Sequence, residues 1–382
     1  MDFELSKEQE EIRAKAKEFA EKVIRPATEQ MEKDGKFPHD VWKKIGENGF
    51  VGVAYSKKYG GLGLDYLSEI LVIEEFSKVS AAVGVTVSAH TTLSMTPCYE
   101  FGSEELREKY MPLMTTGKKL CAFACTEAEA GTDILSLKTK AELDGNEYVI
   151  NGEKLFIANG SVAGLLDVFA RTEKGISVFL VEVPTDGFSY EVIPTMGLKG
   201  IELTRLKFDN VRVPKENLIG KEGDGAKILF KTMDISRVGI AAQALGIAEA
   251  AVEETYRYLT GRKQFGVPLT TFQGLRWRYT EMVTKVEAAR YLVYKAAWLK
   301  DRGKPNTNET CMAKIFAPAV AVEVTRDCVQ LHGGRGYAKW PENIAERLYR
   351  DSIITGIYEG TTEAQRITLA ANLLRKPPRP SK

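Results

Sequence analysis

Hydrophobic residues recur with a helical period at both ends of this sequence and with a strand-like pattern in its middle. Ile12, Ala16, Phe19 and Val23 share one helical face. Ser6 and Gln9 form a capping box before them, with Leu5 at the staple position. Arg25-Pro26 predicts a break or kink. Further helices are expected over 40–50, 66–79 and 103–116, the last capped by Ser103, with a glycine-rich turn at 59–63. From about 119 to 215 the pattern changes to strands. Asp144-Gly145 and Asn151-Gly152 are hairpin-type dipeptides. The runs 148–150, 178–181 and 206–208 are β-rich, and Pro184, Gly187, Pro194, Gly197, Gly200 and Pro214 separate such runs. After the glycines at 220–225 helices return, over 226–260, 270–300, 308–332 and 362–374. Small residues fill 240–251, as close helix packing requires, and a basic, proline-rich tail at 375–382 is expected to fray. Helices, then strands, then helices predict an α+β multidomain fold, not an alternating βαβ sheet. The expected units are an N-terminal helical domain (1–118), a middle antiparallel β domain (119–222) and a C-terminal helical bundle (223–382).

Composition narrows the function. Of 382 residues, 44% are hydrophobic and 27% charged, a globular balance, and the net charge is +1. Without a basic block, nucleic-acid and anionic-membrane partners are not expected. No apolar stretch reaches the ~20 residues a membrane span needs. Met1 lies directly before the first helix, with no leader, which points to a bacterial cytoplasm over a mitochondrial matrix. Five cysteines fit a reducing compartment. Three histidines, no HExxH and no CxxC argue against a metal site. GxGxxG, P-loop and GxSxG motifs are absent, so a nucleotide cofactor would be held by other means.

Two long motifs are specific. The first is Cys121-Ala-Phe123-Ala-Cys125-Thr126-Glu127-Ala-Glu-Ala-Gly131-Thr132-Asp133. The second runs from Gln330-Leu-His-Gly333-Gly334-Arg-Gly336-Tyr337 through Arg350-Asp351 to Tyr358-Glu359-Gly360-Thr361-Thr362-Glu363-Ala-Gln365. In this order and spacing they resemble the two signatures of the acyl-CoA dehydrogenase family, and the likeness covers essentially the whole chain. The run 239–250 and Arg262-Lys-Gln264-Phe265-Gly266 are most similar to short-chain, butyryl-CoA-type bacterial members.

On its residues alone, Glu359 is a lone carboxylate in the apolar run 353–358, followed by Gly360 and by Thr362-x-x-Gln365, which is expected to cap a new helix. Desolvation would raise its pKa toward neutrality, as a general base needs. N–H groups after it could hold a carbonyl oxygen. An isolated glutamate here would read as a capping carboxylate; within the matched signature it reads as the base. The resemblance implies that Glu359 takes the α-proton of an acyl-CoA thioester while FAD takes the β-hydride, giving a 2-enoyl-CoA, with electrons passed to an electron transfer flavoprotein. Some relatives carry the base just before the arginine of a helical D-x-x-R motif; here that position is Ser236.

For FAD the resemblance implies contacts from Phe123, Cys125, Thr126, Gly131 and Thr132, then from Phe156, Ile157 and Ala158. It adds Arg262, Gln264, Phe265 and Gln273 across a subunit interface, and Gln330, Gly333, Gly334, Thr361 and Glu363. Such contacts imply a homotetramer, a dimer of dimers. Two positions depart from the family's usual residues: Phe156 stands for Trp and Ala158 for Thr. Ala158 motivates an alternative, an acyl-CoA oxidase or flavin monooxygenase on the same fold. A further alternative is a non-catalytic oligomer that binds CoA esters. Thr132, Asp234, Arg237 and Gly360 are expected at the acyl-CoA; Asp234 and Arg237 read equally as a surface ion pair. His90, Thr91 and Thr92 fall where relatives line the acyl pocket, His332 is expected to be structural or near the cofactor, and His39 to be exposed. Cys121, Phe123 and Cys125 alternate like the inner face of a strand, with core packing as the role of both cysteines.

Overall fold

The computed structural model describes residues 4–340 and 342–374; the 375–382 tail lies outside them. The first helix, α1 (Lys7–Phe19), starts with the capping box: Gln9 N–H donates to Ser6 Oγ at 3.2 Å and Ser6 N–H to Gln9 Oε1 at 2.9 Å. Pro26 does not break the chain's course. A π-helical turn, Ala20–Ile24, leads directly into α2 (Arg25–Asp34), with Arg25 N–H bonding back to the Ala20 carbonyl. The wider turn accommodates a residue with no N–H to give. Next come α3 (His39–Glu47) and α4 (Tyr66–Val79), the latter capped by Asp65, which accepts from Ser68 N–H at 2.8 Å. The pair α5 (Ala81–Ser88) and α6 (Met95–Phe101), joined by a π-helical turn at Ala89–Ser94, has almost no solvent face. Then α7 (Glu104–Thr115) closes the first helical layer with Ser103 as its cap.

The middle strands are β1 (Cys121–Ala124), β2 (Lys140–Asp144), β3 (Glu147–Ala158), β4 (Leu165–Thr172), β5 (Gly175–Glu182), β6 (Phe188–Val192), β7 (Leu203–Pro214) and β8 (Leu218–Ile219). They form one sheet in the order β6-β7-β3-β2-β4-β5-β8. It is mostly antiparallel, with β1 added parallel to β4. Gly145-Asn146 turns β2 into β3, as Asp144-Gly145 suggested. Asn151-Gly152 makes no hairpin: β3 runs straight through it, and the register against β7 jumps from Ile150↔Val211 to Gly152↔Phe208. Gly152 has φ +151°, and a Cβ there would lie 2.5 Å from Thr139 Oγ1, so this is a glycine bulge pressed against a neighbour. Cys121 and Cys125 are buried as expected, but Ala122 and Ala124 are buried too, so β1 is covered on both faces. His90 ties β1 to the helices. Its Nδ1 accepts from Cys121 N–H and its Nε2 faces the Met114 carbonyl, both at 3.0 Å.

The C-terminal layer is built on α8 (Gly225–Gly261), which packs against α4, α9 (Gln273–Asp301), α10 (Thr307–His332) and α12 (Ala345–Ile353). Between α8 and α9 lies a minimal hairpin, β9 (Lys263–Gln264) with β10 (Val267–Pro268); α11 (Gly334–Tyr337) follows α10, and α13 (Thr362–Leu373) ends the fold. Small residues in α8 let the helices touch: a Cβ on Gly246 would lie 2.5 Å from the Glu74 carbonyl oxygen. By length and composition α8 could cross a bilayer, contrary to the expectation that no stretch could; 83% of its most apolar window is buried inside the protein. Arg350 and Asp351, from the second motif, clamp the three layers together. Arg350 pairs with Glu32 of α2 at 2.8 Å and donates to the Met196 carbonyl at 3.2 Å, while Asp351 accepts from Leu198 N–H at 2.6 Å.

Candidate active site

Glu359 sits on the bend between α12 and α13 with φ +52°, and Gly360 follows with φ +88°. A non-glycine residue held in the left-handed region stores strain, and such strain concentrates at functional sites. The turn is over-determined by its neighbours. Arg237 of α8 donates from Nε to the Glu359 carbonyl at 3.3 Å, and Gln365 Nε2 donates to the Gly360 carbonyl at 3.2 Å. The neighbouring Tyr358 hydroxyl bonds to Gln243 Oε1. The N-cap of α13 is Thr361, not Thr362: its hydroxyl accepts from Ala364 N–H at 3.2 Å.

The carboxyl itself is buried, and Oε2 has no hydrogen-bond partner. Burial pushes Glu359 up to about 7, against the Ser236 hydroxyl and the charges of Lys314 and Arg237, which favour the ionised form. Ser236 Oγ faces the carboxyl without closing a hydrogen bond and is likewise unpartnered. The N–H groups of Glu359 and Gly360 make no backbone hydrogen bond among the described residues. Such a group can accept a proton near neutral pH beside two free donors. Arg237 is only 13% exposed, so with Asp234, 3.9 Å away, it is a wall of this site and not a loose surface pair.

A second group lies on β1 and β3. Thr126 O accepts from Leu155 N–H at 2.8 Å, and the buried Lys154 donates to Cys125 O at 3.1 Å and to Glu127 Oε1 at 2.8 Å. Burial would raise Glu127, but Lys154, Thr139 and Lys138 N–H outweigh it and hold the carboxyl at about 2. Phe156 falls where β3 loses register with β7; at φ +59° its ring is 58% exposed. Ile157 is buried, Ala158 half-buried, and Phe123 packs on Phe169 at 4.8 Å. Gly131 and Thr132 lie on an exposed loop.

A third group surrounds a cleft of about 360 Å³ lined by Arg257, Tyr258, Arg262, His332, Arg335 and Trp340, among others. Arg262 shares this cleft with His332 and Arg335, which flank Gly333 and Gly334 in the chain. His332 lines the cleft and also braces the helices: it stacks on Tyr258 at 4.1 Å and its Nε2 lies 3.3 Å from Glu254. Gln264 and the almost fully exposed Phe265 sit on the β9–β10 hairpin, and Gln273 begins α9. Glu363 is exposed, paired with Arg366 at 3.6 Å. His39 is exposed. His90 spends both ring nitrogens on main chain, and Thr91 and Thr92 donate to the Val87 and Ser88 carbonyls, so all three are tied up locally. Arginines beside Tyr and Trp rings, with Arg262 unpaired among the described residues, suit a diphosphate next to an aromatic base, and the turned-out Phe156 ring suits a flat ring system. The residues present therefore fit FAD.

The sequence alone did not single out Lys154 or Lys314 as site residues, since lysine is ordinarily exposed. Each lies inside an otherwise apolar or alternating run, which is the signal that could have marked it.

A helical–β–helical fold with the buried, unpartnered Glu359 carboxyl near neutrality and a cleft whose lining suits a dinucleotide has the features of a flavin-dependent dehydrogenase. The descriptions of acyl-CoA dehydrogenase N-terminal, middle and C-terminal domains match residues 6–118, 122–211 and 223–374. A short-chain-specific acyl-CoA dehydrogenase from Clostridium acetobutylicum is 46% identical, over 98% of this chain and all of its own. Butyryl-CoA dehydrogenase from Megasphaera elsdenii superposes with a TM-score of 0.95 at 40% identity, over 98% of this chain and 100% of that one. A chain solved in work on the electron transferring flavoprotein of Acidaminococcus fermentans gives 0.96 at 45% identity, over 98% and 100%. The chain belongs to the acyl-CoA dehydrogenase family. It is an oxidoreductase of that FAD-dependent family.

Proposed function

We propose that this protein oxidises a short- or medium-chain acyl-CoA, straight, branched or alicyclic, to the 2-enoyl-CoA, with Glu359 as the base. The observation that carries this is the buried Glu359 carboxyl, raised to about 7 and with Oε2 unpartnered. Bound FAD supplies the acceptor for the hydride that leaves the β-carbon. Glu359 takes the α-proton, and its N–H, free of backbone bonds, is placed to hold the thioester carbonyl oxygen as charge develops there. Arg237 keeps that N–H and the carboxyl in one orientation by binding the Glu359 carbonyl. The cofactor would be held by the Phe123–Thr132 and Phe156–Ala158 segments of one subunit and by the Arg262 cleft. The likeness to a chain solved in work on an electron transferring flavoprotein supports such a protein as the electron acceptor, and the family resemblance is the ground for a homotetramer and a cytoplasmic setting.

An anaerobic titration with butyryl-, octanoyl-, isobutyryl-, glutaryl- and cyclohexanecarbonyl-CoA tests the reading. One member should bleach the flavin band and name the acyl class; a flavin band that none of them bleaches would refute the reading.

A further inference from the structure

We propose that Lys314 is a positioning residue for Glu359: a buried counter-charge that anchors the turn carrying the base and keeps its carboxyl ionised. The inference rests on Glu359 being the base. Lys314 lies in α10 and is 0% exposed, a rare place for an ammonium. Its Nζ donates to the Thr355 carbonyl at 2.5 Å, in the 3-10 turn Ile354–Gly356 that leads to Glu359. The same Nζ lies 6.0 Å from the Tyr358 ring centroid. One turn earlier on α10, the Cys311 thiol lies 3.6 Å from Gln365 Oε1, so one face of this helix grips the chain on both sides of the base.

The charges around Glu359 single out Lys314. From α8 come Ser236, Arg237 and Asp234; from α10, Cys311 and Lys314; from α4, Tyr66; and Tyr358 is adjacent in the chain. Arg237 faces Asp234 at 3.9 Å, which offsets its charge, and its Nε is spent on the Glu359 carbonyl. Lys314 has no carboxylate within ion-pair distance among the described residues. Glu359 is the carboxylate that favours its charged form. Burial drives Lys314 down to about 8 and Glu359 up to about 7, and each holds the other charged. An opposite charge that is removed from such a site returns the carboxyl toward its protonated form.

The test is the rate of anaerobic flavin reduction by the best thioester of the panel, from pH 6 to 10, in the holoenzyme and in Lys314→Met and Lys314→Arg. The Met variant should shift the rise to higher pH by about one unit, a loss of about fivefold at pH 7, while the alkaline plateau is kept within about threefold. The Arg variant, whose guanidinium does not deprotonate in this range, should rise at the wild-type pH or below it. A lower plateau with an unmoved midpoint in the Met variant would mean a brace and nothing more, and would overturn the inference. If the Met variant does not fold, the Arg variant decides, and a midpoint above that of the wild type overturns it. A wild type that no thioester reduces defeats the assignment of the base itself, and the inference falls with it.

Discussion

Removing the Lys154 ammonium is the sharpest test of how the β domain holds the 125–127 turn, which the proposed function places against FAD. In Lys154→Met a similar volume stays in place but two contacts go, to Cys125 O at 3.1 Å and to Glu127 Oε1 at 2.8 Å. Breaking a buried pair by deleting one partner costs about 3–5 kcal/mol. Glu127 keeps three donors, Lys138 N–H, Thr139 N–H and the Thr139 hydroxyl, at 2.6, 2.9 and 2.6 Å. Those donors keep the loss at the low end, about 3 kcal/mol. If the loss loosens the turn at 125–127, about 1.4–3 kcal/mol of it appears in FAD binding, a factor of about 10–150. The assay is fluorescence titration of FAD onto the apoprotein. The pH dependence follows from the same pair. The Glu127 pKa in the fold, about 2, lies below its usual 4.5. Its contribution is therefore complete above pH 4.5 and is lost as pH falls from 4.5 through 2. The wild type should shed FAD in that window, and Lys154→Met should shed it at higher pH. A dissociation constant within twofold of the wild type would refute the reasoning.

Asp167→Val should stabilise the protein, by about 1–3 kcal/mol, because Asp167 is fully buried in β4 with both carboxylate oxygens unpartnered and burial drives it well above the usual range. A lower unfolding temperature would contradict this. Gly246→Ala should cost about 1–3 kcal/mol in chemical unfolding, since its Cβ would meet the Glu74 carbonyl oxygen at 2.5 Å; a neutral result would mean that α4 and α8 part easily. Burial lowers His90 from 6.5 to about 4, so the neutral ring's contribution is complete above pH 6.5 and declines as pH falls toward 4. The acid slope of the thermal midpoint over that range should flatten in His90→Gln; an unchanged slope would assign it to other groups.

Much of this fold was legible from side-chain order. The Ser6–Gln9 box and the helices expected over 66–79 and 226–260 match the structure, while the Asp65 cap of α4 was not read from the sequence. The Glu359 turn was visible because it lies within the second motif; its own residues alone read as a capping carboxylate. What escaped was set by tertiary contact. Residues 81–101 are buried on nearly every side, so α5 and α6 show no polar face to reveal a period. Asn151-Gly152 has hairpin chemistry, yet the glycine is used to bring β3 against Thr139. Thr361 and Thr362 are equivalent caps on paper, and the turn geometry chooses the first. Lys154 pairs with Glu127, far away in sequence, and Lys314 is anchored on the Thr355 carbonyl next to the Glu359 turn, contacts fixed by the tertiary fold.

The central claim is that Glu359 removes the substrate proton. Glu359→Gln keeps the volume and removes the base. Stopped-flow reduction by the thioester that bleaches the wild type should slow by about 10²–10⁴-fold, with FAD still bound at full occupancy and its oxidised spectrum intact. A Gln variant that reduces its flavin within tenfold of the wild-type rate would contradict the account and place the base elsewhere in the site.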